Sequence, residues 1–173
     1  GAYSPSPLLN KQIEKKIISR IIRPTIKALK IKKNPYTGFL YAGLMIKDDN
    51  PYLIEYNVRM GDPECQVILP RLKTDLTTIV LAALNNNLSK LKIKWSTLKC
   101  MTIVLCAKGY PGKYQQSKPI KNLRGLNLKK NLFIFHAGTK LVDSNIVSNG
   151  GRVLNVASIG ASFKKVRLNL FKL

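Results

Sequence analysis

Acidic residues are scarce in this 173-residue chain: eight Asp and Glu stand against thirty Lys and Arg, for a formal net charge of +22 and a pI near 10.2. Histidine and tryptophan occur once each, as His136 and Trp95, and the only cysteines are Cys65, Cys100 and Cys106. An odd set of three thiols with no CxxC pair excludes a disulfide framework, and with a single histidine it argues against a Cys/His zinc site. The thiols read as reduced, in keeping with a cytoplasmic protein. No apolar run approaches the roughly 20 residues that span a bilayer, and residues 1–7 lack the charged-then-apolar form of a signal peptide. The expectation is a cytoplasmic chain with no membrane partner. No internal repeat and no low-complexity tract is visible.

What the chain does have is apolar material. Hydrophobic residues make up 45% of it and the mean hydropathy is −0.05, enough to build a core despite the charge. At this length it is one domain or two small ones. A strongly basic chain first raises a polyanion partner. Most of the bases are lysines scattered from end to end among abundant Ile and Asn, the mark of an AT-rich coding bias on a solvated surface. A nucleic-acid partner is therefore not expected. The absent initiator Met and the loop-like first residues point to a piece of a longer chain.

Ile13, Ile17, Ile18, Ile21 and Ile22 recur at helical spacing after Asn10, a suitable cap. Pro24 predicts a kink or break near Arg23 before Thr25–Leu29 resumes. Residues 38–46 and 52–58 alternate on either side of Asp48-Asp49-Asn50-Pro51 and read as a β-hairpin. A period of two places Tyr52, Ile54, Tyr56 and Val58 on a core face, and Leu53, Glu55, Asn57 and Arg59 on the other. Asp62 and Pro63 form the N-cap and first position of a short helix stopped by Pro70. Thr74-Asp75 caps a second helix to about Leu84, ended by Asn85-Asn86-Asn87. A lysine-rich connection to about Lys94 marks a candidate boundary. Beyond it, residues 100–107, 132–136, 140–143 and 152–159 read as strands and 161–170 as a helix, with turns at Gly109-Tyr110-Pro111-Gly112 and Asn149-Gly150-Gly151.

Against so low an acidic background, Glu55, Asp62 and Glu64 within ten positions are informative. Glu55 and Asn57, two apart on one strand face, can direct oxygen ligands into one cleft. Mg²⁺ is held by one or two such groups plus water and phosphate oxygens. Arg59 could reach the same phosphates through its planar fork, an arrangement suited to phosphoryl transfer. The same three residues fit an ordinary solvated face with a cross-strand ion pair equally well. Asp62 and Glu64 fit a helix cap and a first-turn acid. His136 reads as a strand-end hydrogen-bonding residue rather than a catalyst, and the Gly150-Gly151 pair as a hairpin turn. The Gly109–Gly112 loop could cradle an anion through its backbone amides.

The stretch Tyr36-Thr37-Gly38-Phe39-Leu40-Tyr41-Ala42-Gly43-Leu44-Met45, followed by Glu55-Tyr56-Asn57-Val58-Arg59-Met60-Gly61-Asp62-Pro63-Glu64-Cys65-Gln66, closely resembles the glycinamide ribonucleotide synthetase (phosphoribosylamine–glycine ligase) family. Arg-x-Gly-Asp-Pro-Glu-x-Gln is that family's signature. Further matches are Gly1-Ala2-Tyr3-Ser4-Pro5, Gly109-Tyr110-Pro111-Gly112, His136-Ala137-Gly138-Thr139-Lys140 and Asn149-Gly150-Gly151-Arg152-Val153-Leu154. Met60 replaces the family's usual Phe or Leu, a volume-conserving change.

The resemblance implies an α+β fold: residues 1–94 as the later part of an ATP-grasp domain and 95–173 as a small β-rich C-terminal domain. It implies a ligase of purine biosynthesis that joins phosphoribosylamine and glycine through a glycyl phosphate while ATP becomes ADP and phosphate. By the same match, Glu55 and Asn57 are ligands to Mg²⁺ or Mn²⁺, Arg59 stabilises the transferring phosphoryl group, and Asp62 and Glu64 bind or orient substrate. Family members are more than twice this length, so the expected missing parts are the N-terminal substrate domain, the adenine clamp and the closing segment. Alone, such a chain is expected not to turn over, and a separate N-terminal half could complement it as a partner. The competing expectations are a basic nucleic-acid-binding module derived from a decayed enzyme, or an inert product of gene decay.

Overall fold

A computed structural model describes residues 1–123 and 130–172. The chain divides into two compact units, neither continuous in sequence: Gly1–Ser4 with Pro63–Arg71 and Ser96–Leu173, and Pro5–Asp62 with Leu72–Trp95.

The first unit is built on a four-stranded antiparallel sheet in the order β1-β4-β8-β5, from Ala2–Ser4, Lys99–Cys106, Arg152–Gly160 and Leu132–His136. Helix α5 (Phe163–Leu170) is capped by Ser162, whose hydroxyl accepts from the Lys165 amide. It lays Val166 and Leu170 on Val156, with Met101, Ile103, Leu132 and Ile134 around them. Burying each of these aliphatic side chains contributes about 1.5–3 kcal/mol. The short helix α3 (Cys65–Ile68) runs into a 3-10 turn over Leu69–Arg71. All three sites of the Arg71 guanidinium are used, by Ser4 Oγ and the Leu98 and Ser96 carbonyls, which fastens the discontinuous pieces together.

β6 (Thr139–Val142) and β7 (Asn145–Ser148) form a hairpin around Asp143 and Ser144, both at positive φ, as a primed two-residue turn requires. β1 and β7 were not expected. The Gly150-Gly151 pair is not a hairpin turn, since β7 and β8 lie in different sheets. The glycines are there because of close approach. A Cβ on Gly151 would overlap the Tyr110 ring, and Gly138 sits so near Gly150 and the Arg152 carbonyl that neither has room for a side chain.

In the second unit, Asn10 caps α1 (Lys11–Ile17) through a 2.9 Å bond from the Ile13 amide. Of the kink or break expected near Arg23, the break does not occur. A π-helical turn over Ile18–Ile22 precedes the proline, and α2 (Arg23–Ile31) follows without interruption. Pro24 has no N–H and its ring would strike the carbonyl four residues back. The wider turn absorbs that conflict. Helix α4 (Leu76–Leu84) starts at Asp75, as expected, with the Thr78 amide donating at 2.8 Å. The lysine-rich connection folds back on this unit, where the Lys73 and Thr74 amides donate to the Lys94 carbonyl. The helix over α3 begins after Glu64 rather than at Asp62, and Pro70 lies inside its 3-10 end.

β2 (Tyr41–Lys47) and β3 (Asn50–Asn57) pair antiparallel around Asp48 and Asp49, both at positive φ. A bulge lies where Gly43 pairs with Glu55 but Leu44 pairs with Leu53, leaving Ile54 as the extra residue. One inserted residue reverses the phase of a two-residue alternation. Cross-strand pairing therefore puts Leu53 with Tyr56, on the face of Ala42 and Leu44, and puts Tyr52 with Glu55 and Asn57, on the face of Gly43 and Met45. The expected core row fails for two reasons: the bulge shifts Tyr52 and Ile54, which are 56% and 64% exposed, and Val58, 74% exposed, lies beyond the end of the strand.

Candidate functional site

The hairpin presents Glu55 and Asn57 together because both lie beyond the bulge, on the face away from the helices. Asn57 Nδ2 donates to Glu55 Oε1 at 2.9 Å. With that bond made, the amide oxygen and the second carboxylate oxygen are the remaining hard acceptors of the pair. Room for the carboxylate comes from Gly43 directly across the ladder. A Cβ there would stand 3.0 Å from Glu55 Cγ, tighter than ordinary packing allows. Glycine inside a strand marks a bulge or a close approach, and here it marks both.

The expected strand row ends at Asn57. Residues 58 and 59 bend away, and the Arg59 guanidinium donates to the Met60 carbonyl at 2.9 Å. Arg59 therefore reaches this neighbourhood from a loop rather than as the next rung of a strand. Asp62 lies in the turn that follows, within the second unit, and is half-buried. Glu64 belongs to the first unit, where its carbonyl starts α3 by accepting from the Val67 and Ile68 amides; its side chain does not cap the helix.

Behind Glu55 and Asn57, Tyr56 points to the opposite face. Its hydroxyl lies 2.7 Å from Thr25 Oγ1 and donates to the Ile21 carbonyl at 3.3 Å. Thr25 Oγ1 also meets that carbonyl, at 2.8 Å. A second attachment is at the hairpin turn, where Lys16 donates to the Asp49 carbonyl and, with Arg20, to Asn50 Oδ1. Gly43, Tyr56 and Thr25 were not singled out from sequence; the one available signal was a glycine inside an alternating strand.

In the first unit, His136 ends β5 and shares a 2.9 Å hydrogen bond between Nδ1 and Thr139 Oγ1, in keeping with a strand-end role. The Gly109–Gly112 loop packs Tyr110 over Gly151. Among the described residues, no group of three or more His, Cys, Asp or Glu side chains could hold a metal ion. The oxygen pair at Glu55 and Asn57 suits an ion that completes its shell with water and phosphate oxygens. Among the described residues, no helix is long and apolar enough to cross a membrane.

Two family models match, described as the phosphoribosylglycinamide synthetase ATP-grasp (A) domain, over residues 1–65, and the C domain of the same synthetase, over residues 100–172. A phosphoribosylamine–glycine ligase of Agrobacterium fabrum is 42% identical over all of this chain and 40% of its own length. One of Vigna unguiculata is 44% identical over 92% of this chain and 53% of its own. The crystal structure of phosphoribosylamine–glycine ligase from Thermotoga maritima superposes with a TM-score of 0.83 at 31% identity, over 99% of this chain and 41% of that one. The chain thus spans about 40% of the length of most of the curated relatives it matches. With both halves of its sequence matched to successive domains of one synthetase and its mixed helix-and-sheet fold matched throughout, this chain belongs to the phosphoribosylglycinamide synthetase family.

Proposed function

We propose that the chain supplies the metal-binding part of a cytoplasmic ligase that condenses phosphoribosylamine with glycine at the expense of ATP. The observation that carries this reading is the Glu55–Asn57 oxygen pair, opposite Gly43 on the open face of the hairpin, inside the segment most like the family's signature. Residues 1–94 are the later ATP-grasp portion and 95–173 the C-terminal domain.

Glu55 and Asn57 would hold Mg²⁺ or Mn²⁺ with their side-chain oxygens. The bound ion supplies charge neutralisation on the phosphates of ATP. Arg59 swings from the Met60 carbonyl to the transferring phosphoryl group and stabilises its equatorial oxygens. A glycine carboxylate oxygen takes the γ-phosphoryl group, and ADP leaves. The amine of phosphoribosylamine then attacks the acyl phosphate, forming the amide as phosphate departs. Asp62 and Glu64 bind or orient substrate.

The remaining parts of the site lie in the portion of the relatives that this chain does not match. The decisive assay measures ADP release with ATP, glycine and phosphoribosylamine, using the purified chain alone and then with a separately expressed N-terminal half of a relative. The expected result is no turnover alone, turnover with the half, and a loss of about a hundredfold or more in Glu55→Gln, the scale on which a lost electrostatic stabiliser acts. Turnover by the chain alone at the rate of a whole ligase overturns the division of the site. Full activity of Glu55→Gln overturns the metal pair.

A further inference from the structure

The residue between the two proposed ligands is the one that β3 uses to grip the helix behind it. Tyr56 alternates with Glu55 and Asn57, so its ring leaves the opposite face of the strand. Its hydroxyl meets Thr25 Oγ1 at 2.7 Å and the Ile21 carbonyl at 3.3 Å. Ile21 lies in the π-helical turn of Ile18–Ile22, and Thr25 immediately follows Pro24.

Such a grip matters here for three reasons. A two-stranded ribbon is marginal without packing against other elements. The bulge at Ile54 adds twist immediately before Glu55. Across the ladder Gly43 gives Glu55 space but no side-chain support. The rotation of β3 about its own axis at the ligand end is therefore set from behind.

We infer that Tyr56, with Thr25 and the proline-linked π turn, forms a positioning device that sets the Glu55–Asn57 pair at its metal-binding angle. This rests on the metal reading of that pair. Supporting groups of this kind typically alter metal affinity by about 10–100-fold.

The test uses the isotopically labelled chain titrated with Mn²⁺ alone, following paramagnetic broadening of backbone amides by NMR. That readout is local to the ion and works at weak affinity. In the unaltered chain the amides of Gly43, Glu55 and Asn57 broaden first. Tyr56→Phe and Thr25→Val each shift the half-broadening concentration up about tenfold. Asn10→Ala, which loosens the start of the same helix without touching Tyr56, does not. If Tyr56→Phe and Thr25→Val titrate like the parent while Glu55→Gln loses the broadening, the positioning role is overturned and the metal pair stands. If the hairpin amides of the unaltered chain are not broadened, or Glu55→Gln broadens as the parent does, the metal reading fails and the device with it.

Discussion

Glu55 is exposed, yet its surroundings leave it little freedom. The Asn57 amide holds one carboxylate oxygen, and the missing side chain of Gly43 is the gap that Cγ occupies. A larger residue at 43 has to displace either Glu55 or the β2 backbone. Gly43→Val is expected to keep the fold, because the position lies on an open face and valine suits a strand, while raising the Mn²⁺ concentration for half-broadening of the Asn57 amide about tenfold or more. Unchanged broadening would show that the gap has no part in ligand placement. From the sequence, Glu55 and Asn57 were legible as a pair because their spacing lies wholly on one side of the bulge. Tyr52 and Leu53 were not, because the bulge at Ile54 lies between them and the pair. Nothing in a run of apolar residues announces which one will be the unpaired one.

At the scale of elements, caps and turns were the most readable features. Asn10 and Asp75, read as caps, each accept from the amide three residues on, as does Ser162, which was not read as one, since a short polar side chain satisfies an otherwise orphaned donor. The Thr78 amide and hydroxyl hold the Asp75 carboxyl below the usual carboxylate range. Its folded-state value lies below that of the unfolded chain, near about 3.9. Its contribution to stability is therefore present above that pH and is lost as pH falls through the lower folded value. Asp75→Asn keeps a capping acceptor without the charge. In thermal melts followed by circular dichroism, Asp75→Ala is expected to melt earlier than the parent at pH 7, with Asp75→Asn close to the parent. The Asp75→Asn midpoint is expected to fall less steeply than the parent's below about pH 4; parallel curves would remove the assigned cause. Pro24 was readable as a disturbance but not as its outcome. The proline forbids one hydrogen bond, and whether the helix breaks, kinks or widens depends on what packs beside it. Here it widens into a π turn, beside which Tyr56 meets Thr25 and the Ile21 carbonyl.

For the whole molecule, charge and length mean different things than they do as totals. Lys11–Lys33 alone carries nine Lys and Arg against the single acid Glu14, yet its apolar face, led by the buried Ile13, is an ordinary helix face. The thiols report on the integrity of the first unit. Cys106 is exposed, whereas Cys100 is fully buried in β4 and its pKa is pushed up to about 11 by that burial, opposed by the nearby Arg71 charge. At pH 8 a disulfide reagent is expected to modify Cys106 quickly and Cys100 only at the unfolding rate. Because the folded state retains the Cys100 proton where the unfolded chain loses it, this thiol also lowers stability as pH rises from about 9 toward about 11. Fast labelling of Cys100 in the native protein would contradict the packing of α3 and β4.

The sequence by itself determined the family, the ends of many elements and the grouping of Glu55 with Asn57 on one strand face, because motif residues, caps and strand spacing act over a few positions of chain. Tertiary structure alone decided which face of the hairpin is open, how Pro24 is accommodated, and that Gly43 and Tyr56 frame the pair from opposite sides. It also decided that residues 1–4 and 63–71 join the unit of the later sheet. Those outcomes depend on a bulge, a close approach and hydrogen bonds between residues some thirty positions apart, and local chemistry cannot encode contacts whose partner is chosen only when the chain folds back.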